Sequence, residues 1–149
     1  MDKKIQIVLI SLLLLIGCGG VMPKLGIEKG QLAQCPTTPN CVNSQATDSK
    51  HYIEPILTTR TPLEVKARIL EILIDLKNSK ITVAEDNYIR AEFTSKVFGF
   101  VDDIEFYFPD TKSNEMTIHV RSASRVGYSD LGVNRKRVEK ITSKFQEGK

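Results

Sequence analysis

Apolar positions recur along this chain in three rhythms, and each rhythm predicts a different kind of segment. Ile5 to Gly17 is a mostly apolar run of thirteen residues, interrupted only by Gln6 and Ser11, behind Lys3 and Lys4. A basic start, a short apolar run and a small residue before the break form a secretory signal pattern. A membrane-crossing helix needs about 20 apolar residues, so this run is too short to stay in a bilayer unaided. From Thr61 the rhythm turns helical, with Val65, Ile69, Ile72, Leu73 and Leu76 every three or four residues and Leu70 and Ile74 widening the stripe. Thr61-Pro62-Leu63-Glu64 supplies a capping box with proline at the first helical position, so a helix should start there and end near Asn78-Ser79.

From Lys80 the period drops to two. Lys80 to Glu85, Tyr88 to Val97, Phe100 to Phe108 and Glu115 to Ser122 alternate apolar and polar residues, and Asp86-Asn87 makes a tight turn. Phe100, Ile104, Phe106 and Phe108 fall on one face of their strand. Helical spacing returns with Leu131, Asn134, Val138, Ile141 and Phe145 after the cap pair Ser129-Asp130, leaving Arg137, Lys140 and Lys144 facing out. Consecutive strands between two one-sided helices predict an α+β two-layer sandwich: a four-stranded antiparallel sheet with an early helix and a C-terminal helix on one face. Residues 35–60 read as an irregular lasso with one strand-like run at His51 to Leu57. Gly19, Gly20, Pro23, Gly26 and Gly30 make 18–34 read as a flexible tether. The expected division is a signal segment at 1–17, a tether at 18–34 and one globular domain at 35–149.

Cys18 changes the meaning of the signal. Leu15-Ile16-Gly17-Cys18 looks like a bacterial lipobox, in which the cysteine is acylated and begins the mature chain. The expected address is the cell envelope, with the membrane as partner through the lipid on Cys18. Gly19 after that cysteine resembles lipoproteins of the outer membrane facing the periplasm. Cys35 and Cys41 then remain as an even pair in an oxidising compartment, and a structural disulfide is expected. Losing Asp2, Lys3 and Lys4 lowers the net charge from +3 to +2, too balanced to suggest nucleic acid. With only two histidines and no metal-ligand cluster, neither a metal nor a cofactor is expected. His51 reads as incidental and His119 as a hydrogen-bonded sheet residue.

Candidate chemistry is densest between the last strand and the last helix, where Arg121, Ser124, Arg125, Ser129, Asp130, Asn134 and Arg135 follow closely. They lie within reach of the acidic run Asp102-Asp103-Ile104-Glu105. Counting by two puts Asp102 on the side of Ile104 and Phe106, where an unpaired carboxylate is costly. Arg121, Arg125 and Arg135 are the expected partners. One reading is an arginine–aspartate network that pins the last helix to the sheet. The other is a site for an anionic small molecule or a partner protein's carboxylate, built from arginines and a helix N-terminus.

The segments Cys35-Pro36, Pro39-Asn40-Cys41-Val42, Tyr88-Ile89, Gly99-Phe100-Val101-Asp102-Asp103-Ile104-Glu105-Phe106 and Arg121 to Arg137 together resemble the domain of unknown function family 1499 over residues 35 to 145. The resemblance implies a bacterial lipoprotein and no particular reaction. The leading functional expectation is a lipid-anchored binding or interaction module centred on Asp102, Asp103, Arg121, Arg125, Asn134 and Arg135. An envelope enzyme acting on an anionic substrate, or a purely structural factor, stands behind it.

Overall fold

The computed structural model describes residues 23–111 and 113–147, so the expected signal segment and Cys18 lie outside the described residues. In chain order the elements are β1 (Ile27–Glu28), β2 (Gln31–Leu32), β3 (Cys41–Asn43), β4 (Ile56–Thr58), α1 (Pro62–Asp75), β5 (Ser79–Ala84), β6 (Tyr88–Thr94), β7 (Val101–Tyr107), β8 (Met116–Ser124) and α2 (Val133–Glu147). The architecture is α+β, with two helices on one face of an antiparallel sheet.

The main sheet has six strands rather than the expected four. Its order is β3-β8-β7-β6-β5, and β4 also pairs with β8. Cys41–Asn43 lies against Arg121–Ala123 while Ile56–Thr58 lies against Met116–Ile118, so two short strands share one edge position. Three residues are too few to show a period, which is why this edge hides inside the lasso. The Cys35–Cys41 disulfide forms as expected, with the Cα atoms 5.6 Å apart. His51 is buried rather than incidental. Its ring lies 2.8 Å from the Asp48 carboxylate and 3.1 Å from the Thr38 carbonyl, drawing the lasso together.

Helix α1 starts where its signals place it. Glu64 N donates to Thr61 Oγ1 and Thr61 N donates to Glu64 Oε2, which closes the capping box. Val65, Ile69, Ile72 and Leu73 face the sheet, whereas Ile74 is exposed and lies outside the stripe. From α2, Val138, Ile141 and Phe145 join them, against Ile89, Ala91, Ile104, Phe106, Ile118 and Val120. Phe100 precedes β7 and is exposed, so it does not continue the Ile104–Phe106 face.

The second face of the sheet is covered as well. Glu28 and Gln31 flank Lys29 (φ 53°) and Gly30 (φ 76°), two left-handed residues that make a two-residue hairpin turn. The hairpin lies on the sheet: Gly26 N donates to Glu105 Oε1 at 2.8 Å and Asn43 Nδ2 donates to the Ala33 carbonyl at 3.0 Å. Gln45 grips its turn and its second strand, accepting from Leu32 N at 2.9 Å and donating to the Gly30 carbonyl at 3.1 Å. Leu32 is buried beneath it. Part of the stretch that reads as a tether therefore belongs to the folded body.

Candidate functional site

Strand alternation sorts the polar residues into two groups on opposite faces. On the hairpin side, register places Arg90, Glu105 and Arg121 across three neighbouring strands, with Glu92 opposite Asp103 one step along. Arg90–Glu105 and Glu105–Arg121 are cross-strand pairs of opposite charge, whereas Glu92 and Asp103 are like charges held together by the Arg125 they share. Glu105 is fully enclosed and accepts three bonds: from Arg121 Nη1 at 3.0 Å to Oε2, and from the Tyr88 hydroxyl and Gly26 N, both at 2.8 Å, to Oε1. Asp103 is equally enclosed. Arg125 leaves the end of β8 and grips it with both arms of its fork, Nε to Oδ2 at 2.8 Å and Nη2 to Oδ1 at 2.9 Å. The same Nη2 donates to Glu92, and Arg90 Nε lies 3.8 Å from Asp103 Oδ1.

These pairings are visible in the acid–base properties. Burial, followed by the negative charge of Glu105, pushes the Tyr88 phenol far above its ordinary range. The hydrogen bond to Asp103 raises Arg125 despite its burial. The hydrogen bond from Arg125 holds Glu92 below the usual carboxylate range. Arg121, only 4% exposed, keeps its Nε without a protein partner.

On the helix side, Asp102 shares a face with Ile104 and Phe106 as the count predicts, but its partner is not one of the three expected arginines. Arg137 Nη2 donates to Asp102 Oδ2 at 2.6 Å. Its guanidinium lies 4.6 Å from the centre of the Phe93 ring, so Arg137 turns inward rather than out. Its Nη1 also donates to Asn134 Oδ1 at 2.6 Å and Ser122 Oγ at 3.2 Å. Asn134 is buried and donates in turn to the Asn40 carbonyl, Ser124 Oγ and Asp130 Oδ2. Asp130 caps the helix by accepting from Asn134 N at 2.7 Å and Gly132 N at 3.0 Å. Ser129 Oγ accepts from Leu131 N in the preceding turn. The left-handed residues Leu131 and Gly132 delay the helix to Val133, past the expected start at Ser129-Asp130.

Arg135 belongs to neither group. Its Nη2 donates to the Tyr52 and Lys50 carbonyls, at 2.8 and 3.2 Å, and ties the lasso to α2. The single expected constellation therefore divides three ways. A period of two sends Asp102 and Asp103 to opposite sides of the sheet, so no one opening can hold both.

Glu105, Glu92, Arg90, Tyr88 and Arg137 complete the arrangement without having been candidates. Charges of both signs at alternate positions of three successive strands are the signal that marks the first three. Chemically, each of these acids is matched to a guanidinium; Asp103 and Glu105 are closed from water, and Glu92 and Asp102 are partly covered. The hollows along 24–34 and along α1 are lined by none of these paired acids and arginines, whereas Arg137 lines the one at the ends of the two helices and Arg135 the one between lasso and α2. Among the described residues no group of three or more His, Cys, Asp or Glu could hold a metal ion. His119, whose pKa is lowered by burial, stacks on Tyr107 and lies 3.4 Å from Ser44 Oγ.

No curated protein matches the chain. A family model described as a protein of unknown function, DUF1499, matches residues 31–145, which span β2 to the last turn of α2 and include both cysteines and the whole ionic layer. The chain belongs to that family.

Proposed function

We propose that this chain is a lipid-anchored protein of the bacterial envelope that works as an interaction module, with its arginine–aspartate centre as an internal frame. One observation carries the second half of that reading: the carboxylates of Asp102, Asp103 and Glu105 are each bonded to an arginine of this chain, with Asp103 and Glu105 fully enclosed and Asp102 partly covered. A ligand anion would have to displace a buried partner, at a cost of several kcal/mol. The lipobox-like Leu15-Ile16-Gly17-Cys18 supports the anchor, and the Cys35–Cys41 bond suits an oxidising compartment such as the periplasm. An envelope enzyme using Asp102 or Asp103 with the arginines draws no support from groups that lie on opposite faces and are already paired.

Two measurements test this. Mass analysis of the protein purified from membranes should find an acylated N-terminus at Cys18, and Cys18→Ala should abolish it. Phosphate or dicarboxylates at millimolar concentration should leave the melting temperature unchanged, while Arg125→Ala lowers it. A melting temperature raised by such an anion in the native protein, and not in Arg125→Lys, would overturn the frame reading in favour of a site.

A further inference from the structure

Ten large apolar side chains are exposed among the described residues, and six of them gather at one end of the sheet: Val97, Phe98, Phe100, Tyr128, Leu131 and Val133. The connections 95–100 and 125–132 leave this end side by side, because Asp102 pairs with Ser124 and Arg125 N donates to the Val101 carbonyl at 3.0 Å. The loops are held in shape. Ser95 N donates to the Phe100 carbonyl, Phe100 N to Ser95 Oγ and Leu131 N to Ser129 Oγ. The Phe98 and Phe100 rings stack with centroids 5.5 Å apart. Leu131 is 86% exposed at φ 54°, a conformation costly for a side chain with a Cβ. The fold thus strains its backbone to hold an apolar residue out in water, and a patch of this kind marks an interaction surface.

Exposed lysines stand around these tips. Lys96 is in the first loop. Lys136 and Lys140 follow Val133 along α2, and with Lys77 they line a groove of about 530 Å³ whose floor includes Phe93 and Leu76. Of the acids nearby, Asp130 is engaged by the Gly132 and Asn134 amides, Asp102 by Arg137 and Asp75 by Lys144. The chain reaches the sheet at Gly26, whose N–H bonds Glu105 Oε1 on the hairpin side of β7. Four residues lie between Cys18 and Pro23, and the five steps from one Cα to the other reach at most about 18 Å.

We propose that this end is a membrane-docking face: Val97, Phe98, Tyr128 and Leu131 enter the headgroup–acyl boundary while Lys77, Lys96, Lys136 and Lys140 meet anionic headgroups. The inference rests on the lipid anchor at Cys18 proposed above. Apolar tips ringed by lysines match an interface that is apolar within and anionic at its rim. A short leash keeps the domain close to the bilayer, so anchor and loops act on one surface.

The chain contains no tryptophan, so an introduced one reports alone. The purified protein with its native N-terminus is placed with phosphatidylethanolamine–phosphatidylglycerol vesicles carrying brominated acyl chains. Phe98→Trp should shift to the blue and be quenched, whereas Leu57→Trp, exposed on β4 at the far end of β8, should not. Adding Lys136→Glu and Lys140→Glu to Phe98→Trp should remove the dependence on phosphatidylglycerol. Without an acyl chain, Phe98→Ser should weaken vesicle binding about tenfold, as expected for withdrawing one buried aromatic side chain. Phe98→Trp left unquenched, or Leu57→Trp quenched equally, overturns the docking face. So does a blue shift that appears without vesicles, which would mean a protein partner or a second copy covers the patch. Acylation of Cys18, read by mass on the same sample, judges the anchor separately. An acylated chain with unquenched Phe98→Trp sinks only the docking face. A chain that is not acylated sinks the anchor, and quenching by added vesicles still decides the face.

Discussion

On β7, Ile104 and Phe106 face the helices while Asp103 and Glu105 face the N-terminal hairpin, and all four are closed to water. Adjacent residues of one strand thus reach the same burial by opposite chemistry. The helix side is filled by shape, and such packing tolerates exchange of one apolar residue for another of similar volume. The hairpin side is filled by matched charges, where removing one member strands another. Burial alone therefore says little about how a region fails. What matters is whether its neighbours need volume or need a partner.

The largest expected effect breaks this contrast most directly. Glu105→Ala leaves the Arg121 guanidinium buried without its counter-charge and should cost about 3–5 kcal/mol in urea unfolding. Phe106→Ala should cost a similar amount, about 3–5 kcal/mol, through the cavity it opens. The double exchange Glu105→Leu with Arg121→Met separates them: it should recover most of the loss, since apolar replacement of a whole buried pair is often neutral. A double variant no better than Glu105→Ala would mean the layer holds more than paired charge. Next comes the lasso, where Cys35→Ser with Cys41→Ser should cost about 2 kcal/mol in the same assay, because the bond closes only a short loop.

A smaller change tests whether the hairpin is an integral cover. Gln45→Ala removes its two bonds to Leu32 N and the Gly30 carbonyl, and should cost about 1 kcal/mol. Hydrogen exchange should speed up at the Leu32 amide but not at the Ile104 amide. Equal acceleration at both would show hairpin and sheet opening as one unit. The smallest effect is on the acid limb of the stability curve. Glu92 has a folded pKa below its unfolded value of about 4.3, so its contribution is complete above that pH and lost as pH falls through the folded value. Glu92→Gln should flatten that limb and leave stability near pH 7 less changed than Glu105→Ala does.

Periods sustained over six or more residues made both helices and the four longest strands legible. Strands β3 and β4 have three residues each, and β1 and β2 have two, so no alternation can announce them. The facing of Asp102 was countable, but its partner was not. Arg137 shares its helix side with Lys140 and Lys144, and only a long side chain laid back over Phe93 brings it inward. Charges on the second face read as an ordinary solvated sheet surface, since antiparallel sheets commonly leave one face wet. The hairpin that covers them turns at Lys29-Gly30, a signal easily lost in a glycine-rich stretch that resembles a linker.

The borders of the sheet have a consequence for crowding. One border is β5, whose register shifts between Ile81 and Val83. The other is split between β3 and β4, with residues 44–55 looping out between them. Neither offers the long, regular row of free amides on which a neighbouring copy could extend a sheet. A protein tethered to a surface diffuses in two dimensions and meets its own kind far more often than one free in solution. On the anchored reading proposed above, broken borders would let it live at that density without growing into fibres.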